Sequence, residues 1–288
     1  MKQPNFFVVG QMRGGSTFLH SLLKTHARVY LPPVIKESRF FVYDLDDPNR
    51  RKKIIRPRPV TMKDYMSLYD GANDQHSAIG DVSPQYISSN VAHRQIFNFA
   101  PNAKIISTLR NPADRVYSLY NLAQQRTRTS GNFIDEFRDN VDQRLVERGY
   151  MYENFKRYVD TFSSQQLLVL RFKSLVTELD ITRTKVCDHL EIDEKDFQGF
   201  SQPAKNASGI ARFPVMHKIY SNLRTSTALQ KLIPNAIKRR ASDAWHSSLN
   251  QPRKISSEER AELLEFYRED SLKLQDLLDI NLEDWILS

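Results

Sequence analysis

The chain has 288 residues, 40% of them apolar and 26% charged, with a formal net charge of +8. This is ordinary globular composition, and a single cysteine, Cys187, excludes an internal disulfide framework. No run approaches the roughly 20 apolar residues of a membrane-crossing helix, and no signal-peptide region precedes the first strand. The expected location is therefore the cytoplasm. The positive balance fits a solvated basic surface, a polyanionic cofactor or an acidic substrate. Clusters at Arg50-Arg51-Lys52-Lys53 and Lys238-Arg239-Arg240 lack interleaved aromatics, which favours general anion attraction over nucleic acid.

Phe6-Phe7-Val8-Val9 is a continuous apolar run with β-branched residues, predicting a strand buried on both faces. Gly10 ends it, and Arg13-Gly14-Gly15-Ser16-Thr17 forms a small-residue loop. Phe18, Leu19, Leu22 and Leu23 then recur at helical spacing. Strand, glycine loop and helix in that order make a phosphate cradle, whose N–H groups and helix N-terminus present positive potential. The spacing approaches the nucleotide loop G-x-x-x-x-G-K-[ST], but Ser16 stands where the lysine belongs and Arg13 is the loop's cation. The loop alone predicts a phosphorylated ligand without saying which; the plainer alternative is a tight turn.

Two prolines make Val29–Pro33 extended rather than helical. Lys36-Glu37-Ser38-Arg39-Phe40-Phe41 then sets a lysine and a glutamate side by side ahead of an aromatic pair. Residues 44–60 read as a surface loop or lid, and a helix resumes near Thr61. Ala78–Tyr86 predicts a second strand turning at Ser83-Pro84, followed by a helix that stops near Pro101. Lys104–Arg110 predicts a third strand running straight into a helix, with Asn111 as N-cap, Pro112 in the first turn and Asp114 complementing the dipole. Arg110 thus stands at a strand's carboxyl end, with Ser118 two turns along the helix. Nucleotide-hydrolysing relatives of such folds place a metal-holding aspartate at the strand end; arginine there binds anions instead.

A further helix follows Arg148-Gly149-Tyr150, with Phe155, Tyr158 and Phe162 among its apolar residues. Gln166–Phe172 predicts a fourth strand and Leu175–Leu190 a helix with Cys187 in the core. Lys205–Arg212 is a loop able to fold over a ligand or to stay a mobile surface segment; it makes Arg212 a further cofactor-binding candidate. Ser256–Trp285 is helical, with Leu263, Leu264, Tyr267, Leu274 and Leu278 on one face. Strands alternating with helices predict an α/β fold with a mainly parallel sheet, whose ligands bind at the strands' carboxyl ends. Arg13, Glu37, Ser83 and Arg110 all follow such segments. The expectation is one domain over 1–288, its C-terminal helical part, about 205–288, packed on the rest.

These residues resemble the sulfotransferases that use 3′-phosphoadenylyl sulfate (PAPS). Gly10–Leu19 looks like their 5′-phosphosulfate loop, and Arg110-Asn111-Pro112 with Ser118 looks like their 3′-phosphate segment. Lys36-Glu37-x-x-Phe40-Phe41 is similar to the lysine–glutamate pair of the heparan-type branch. Gly80-Asp81-x-Ser83-Pro84-x-Tyr86 also falls in family order. The resemblance implies a P-loop-like three-layer α/β/α fold, a central parallel sheet flanked by helices, and PAPS as sulfuryl donor with no metal required. It implies that Arg13, Gly14, Gly15, Ser16 and Thr17 hold the 5′-phosphosulfate, and that Arg110 and Ser118 hold the 3′-phosphate. Glu37 becomes the candidate general base, and Lys36 orients the acceptor or steadies the sulfonate. Many family members carry lysine at the position of Arg13; a guanidinium stabilises leaving-group charge but is a poorer proton donor.

The implied acceptor is a hydroxyl of a carbohydrate or glycolipid; a tyrosine or small-molecule hydroxyl is the alternative. Tyr43, Tyr86 and Tyr120 are candidates for stacking on a sugar or for the core. Segments 42–75 and 121–148 are expected on the acceptor side. Two readings compete: a P-loop kinase or NTPase with a degenerate loop, and a non-catalytic anion-binding module. For Glu37 alone, a surface salt bridge with Lys36 or Arg39 competes with the catalytic role.

Overall fold

Phe6, Phe7, Val8 and Val9 are completely buried, as an unbroken apolar run requires of a strand covered on both faces. The computed structural model describes residues 2–54, 58–127, 133–139, 146–199, 210–211, 249–250 and 255–286. Its first strand, β1 (Phe6–Val8), lies at the centre of a five-stranded sheet with α1 (Ser16–Leu23) following it and β2 (Val29–Tyr30) at one edge. Short helices α2 (Arg50–Lys53) and α3 (Met62–Ser67) lead to β3 (Ala78–Val82), and α4 (Ala92–Phe99) leads to β4 (Lys104–Leu109). Helices α5 (Pro112–Thr127), α6 (Phe133–Arg138) and α7 (Tyr152–Val159) precede β5 (Leu167–Arg171). The strand order is β2-β3-β1-β4-β5, and every pairing is parallel. Parallel neighbours require crossovers, and the intervening helices supply them.

The two-residue alternation of β1 separates two apolar clusters, giving three layers. Phe7 and Val9 join Phe41, Tyr65, Ile105, Val116 and Tyr267 on one face. Phe6 and Val8 join Leu19, Val29, Ile106, Leu175 and Val186 on the other. Cys187 is buried as expected. The chain crosses from β3 to β4 over β1, so the carboxyl ends of these three strands form the topological switch where ligands of such sheets bind.

Some expectations change. The extended Val29–Tyr30 is a strand in its own right, so Ala78–Val82 is the third strand. The helix predicted over Leu175–Leu190 is two, α8 (Phe172–Thr177) and α9 (Leu179–Leu190), because Glu178 leaves helical space at φ −127°, ψ 59°. Arg50 is no anion-attracting surface cation: it is buried, donates to the carbonyls of Phe40 and Val60, and lies over the Phe40 ring. Near the C-terminus, β6 (Ile210–Ala211) and β7 (Leu249–Asn250) pair antiparallel ahead of α10 (Ser257–Phe266), α11 (Arg268–Leu278) and α12 (Glu283–Ile286). Arg212 and the Lys238–Arg240 cluster lie outside the described residues. Among the described residues, no helix is long and apolar enough to cross a membrane.

Candidate functional site

The loop between β1 and α1 is pressed from behind by β4 and α8, and at Gly10 and Gly15 only glycine fits. A Cβ on Gly10 would stand 2.4 Å from Thr108 Oγ1, and one on Gly15 would stand 2.7 Å from the Phe172 ring. Gly15 also sits at φ +106°, a region open to glycine and strained for other residues. The loop closes with Gly14 N donating to Gln11 O at 3.0 Å. Among the described residues no side chain caps the start of α1, so its first-turn N–H groups remain available to an anion.

Arg13, at φ +65°, is a non-glycine residue held in the left-handed region, a conformation that persists only where its surroundings enforce it. Here two of the expected 3′-phosphate residues enforce it. Arg13 Nε donates to Ser118 Oγ at 2.8 Å, and Arg110 Nη1 donates to Arg13 O at 2.9 Å. Arg110 stacks on the Phe172 ring at 4.7 Å, while its Nε is buried with no partner among the described residues. Burial pushes both guanidinium groups below their ordinary pKa, and for Arg110 the neighbouring Arg13 adds to the push while Asp114 opposes it. Two cations thus share a half-buried pocket, and neither forms an ion pair among the described residues. Such an arrangement calls for an anion between them. The cap chemistry is as expected, with Asp114 N donating to Asn111 Oδ1 at 3.2 Å. A cavity of about 390 Å³ adjoins Arg110, its lining including Phe172, Arg171, Arg260 and the carboxylates Asp114 and Asp284, of which Asp114 pairs with Arg260 and Asp284 with Arg171. The cradle with no room for a Cβ at Gly10 and Gly15, the open helix start and the Arg110 Nε left without a partner among the described residues together fit a nucleotide bearing phosphates at both ends.

The second half of the site is segment 36–41. Phe40 and Phe41 enter the core, Phe40 stacking on Tyr65 with centroids 4.4 Å apart. This leaves Lys36 and Glu37 at the sheet's carboxyl edge. Lys36 Nζ donates to Thr17 Oγ1 at 2.9 Å, which carries it to the start of α1. Burial lowers the Lys36 pKa, and Glu37 pulls the other way. Both salt bridges expected of Glu37 form: Arg39 Nη2 lies 2.6 Å from Oε2, and Lys36 Nζ lies 3.8 Å from Oε1. The pairing is not a surface one, because the Glu37 side chain is only 24% exposed. Arg58 acts electrostatically on the same group.

Of the remaining candidates, Ser83 is buried and accepts from Arg39 N at 3.0 Å. Tyr86 and Tyr120 are core residues, so of the three tyrosines proposed to stack on a sugar only Tyr43 stays at the surface. Arg39 clamps Glu37 in one of the two salt bridges the sequence offered. Sequence reasoning missed two supporting groups. Asp81 is a carboxylate inside an otherwise apolar strand, which is itself a signal. Arg115 is fully enclosed, its pKa pushed down to about 10 by burial, and it donates to the carbonyls of Met12 and Arg148. It braces the loop from beneath.

The sulfotransferase-family model matches residues 4–196. Bifunctional heparan sulfate N-deacetylase/N-sulfotransferase 2 of Bos taurus is 27% identical over 227 residues, 73% of this chain and 23% of that protein. The Homo sapiens protein of that name is 27% identical over 191 residues, 60% of this chain and 20% of that protein. The match thus spans about a fifth of the length of these relatives. A sulfotransferase from Alicyclobacillus acidocaldarius superposes with a TM-score of 0.68 at 22% identity over 99% of both chains. The sulfotransferase domain of the Synechococcus PCC 7002 olefin synthase superposes at 0.50 and 17% identity, over 98% of this chain and 97% of that one. These two likenesses show the fold. With a family match over well more than half its length, the chain belongs to the sulfotransferase family.

Proposed function

We propose that this sulfotransferase moves a sulfuryl group from PAPS to a hydroxyl of a carbohydrate or glycolipid. The observation that carries the reading is the junction of Arg13, Arg110 and Ser118: two half-buried guanidinium groups, neither in an ion pair among the described residues, where a phosphate can supply the counter-charge. Gly14, Gly15, Ser16 and Thr17 would hold the 5′-phosphosulfate, with Arg110 and Ser118 on the 3′-phosphate and Arg212 as a further candidate. When bound, PAPS supplies the sulfonate and a phosphate leaving group. Arg13 stabilises the charge that grows on the leaving oxygen, which is the larger part of such catalysis. Glu37 accepts the proton of the acceptor hydroxyl, a contribution of about 10²–10⁴ in rate. Lys36, tied to Thr17, steadies the sulfonate from the acceptor side.

The heparan sulfate relatives support a carbohydrate acceptor, and the cations around Glu37 support one that carries anionic groups. Arg39 stands beside the base and Arg58 is within electrostatic reach of it, so the acceptor side is cationic and suits a carboxylate or sulfate on the acceptor. A mass-spectrometric acceptor screen with PAPS tests the reading, the product being heavier by one SO₃. A tyrosine peptide or small phenol modified in place of glycans would move the acceptor class. No product from any hydroxyl, with no protection by adenosine 3′,5′-bisphosphate (PAP) in a thermal shift, would overturn the donor assignment.

A further inference from the structure

Segment 36–41 has no regular structure ahead of the single turn at Phe40–Val42, yet it presents both Lys36 and Glu37. A carboxylate shut away from solvent holds it in place. Asp81, at the end of β3, is 1% exposed. Its Oδ2 accepts from Ser38 Oγ at 2.7 Å, Tyr86 OH at 2.7 Å and Tyr65 OH at 2.9 Å, and its Oδ1 accepts from Ser83 Oγ at 2.8 Å. Each hydroxyl has one proton; all four lie within hydrogen-bond distance of the same carboxylate, and Ser38 Oγ and Tyr86 OH also lie 2.9 Å from each other, so an acceptor-only group suits the centre of the node. The hydroxyls pass the constraint on. Ser83 Oγ accepts from Arg39 N at 3.0 Å, and Ser38 Oγ accepts from Phe40 N at 3.2 Å.

Glu37 is therefore suspended. The residue before it is fastened to Thr17 of the anion-binding loop. The two residues after it are fastened to Asp81, Ser38 through its side chain and Arg39 through its backbone via Ser83. We propose that Asp81 is a positioning residue, setting Glu37 against the cofactor loop through Ser38 and Ser83. The inference rests on the reading of Glu37 as the base. Asparagine at 81 keeps the shape but replaces one acceptor oxygen with an amide donor, so the hydroxyl proton now aimed at that oxygen has to turn away and at least one tether is reversed or lost. A displacement of about 1 Å at a reacting group lowers turnover by about 10²-fold.

The test compares wild type, Glu37→Gln, Asp81→Asn and the double variant, using the acceptor found in the mass screen, with calorimetric titration of PAP alongside. Asp81→Asn is expected to lower kcat by about 10²-fold while leaving PAP affinity unchanged, and the double variant is expected to be no slower than Glu37→Gln alone. Unchanged kcat in Asp81→Asn, or full multiplication of the two losses, overturns the inference and reduces Asp81 to a stability residue. Wild-type kcat in Glu37→Gln removes the base assignment itself, which separates failure of that reading from failure of this one. Should Asp81→Asn not fold, Ser38→Ala and Tyr86→Phe each remove one tether. Both are expected to lower kcat by a smaller factor with PAP affinity intact, and wild-type kcat in both overturns the proposal.

Discussion

Arg110→Ala puts the paired-cation reading to a quantitative test. In the structure, Arg110 spends one N–H on Arg13 O, rests its plane on Phe172, and keeps a buried Nε without a partner among the described residues. Hydrogen bonds to charged groups contribute about 1.5–3 kcal/mol each. Losing one or two of them to the 3′-phosphate, together with the support of Arg13, is expected to weaken PAP binding by about 2–4 kcal/mol, or about 30-fold to 10³-fold at 1.4 kcal/mol per decade. The ligand-free protein should lose little stability, because the buried guanidinium's desolvation disappears with it. Calorimetric titration with PAP and with adenosine 5′-phosphosulfate, which lacks the 3′-phosphate, separates local from general damage. The loss should fall on PAP alone. Equal losses for both nucleotides would refute the assignment of Arg110 to the 3′-phosphate, and unchanged PAP affinity would refute the paired-cation reading itself.

Gly15→Ala places a Cβ at φ +106° against Phe172 and Leu175. It should lower stability by about 1–3 kcal/mol and weaken PAP; a Tm and affinity matching wild type would show the loop to be slack. Arg39→Ala frees the Glu37 carboxylate of its 2.6 Å partner. If Arg39 also meets an acceptor anion, steady-state kinetics should show a higher KM for an acidic acceptor and no change for PAPS, whereas equal shifts in both would count against an acceptor role. His20 and His189 are both pushed down to about 4 by burial, which leaves them neutral in the folded state below the ordinary histidine range. The unfolded chain then binds more protons between about pH 6.5 and pH 4, so stability should rise with pH across that window and fall as pH drops toward 4, by at most about 1.4 kcal/mol per pH unit per histidine. Denaturant unfolding at pH 4.5 and pH 7 measures this, and equal stability at both would remove the two histidines from the account.

The parts of this molecule legible in the sequence are those fixed by local rules. Phe6–Val9 reads as a two-sided strand because no polar residue interrupts it, and Asn111-Pro112 reads as a helix start because cap and ring geometry demand it. The Arg13 loop reads as an anion cradle for the same reason. Long-range pairings carry no such local mark. Nothing near Lys36 announces that its ammonium reaches Thr17, and nothing near Tyr65 announces a bond to Asp81. Tyr86 illustrates the limit, since a tyrosine fit to stack on a sugar and one fit to hydrogen-bond a buried carboxylate look alike until the fold is known. Glu178 likewise breaks a helix that the apolar period through Leu190 carries across without interruption. Arg50 shows the reverse error: four consecutive cations suggest a surface patch, yet one of them turns inward to satisfy two carbonyls.

The kinase-like alternative is met by the sheet more directly than by the loop. A metal-assisted phosphoryl transfer needs a free carboxylate near the terminal phosphate, at the end of a strand beside β1. Two strands flank β1. Immediately beyond β4 stands Arg110, a cation that repels metal. The other flank, β3, does place an aspartate beside β1, since Asp81 pairs in register with Phe7, but four hydroxyls engage both of its oxygens and solvent does not reach it. The carboxylate that would hold magnesium is spent on orienting the segment that carries Glu37. Protection by PAP in a thermal-shift assay should therefore be the same with and without EDTA, and ATP with magnesium should protect less than PAP at equal concentration. Stronger protection by ATP–magnesium, abolished by EDTA, would mean that Asp81 opens to a metal and that the hydroxyl node is not a fixed element.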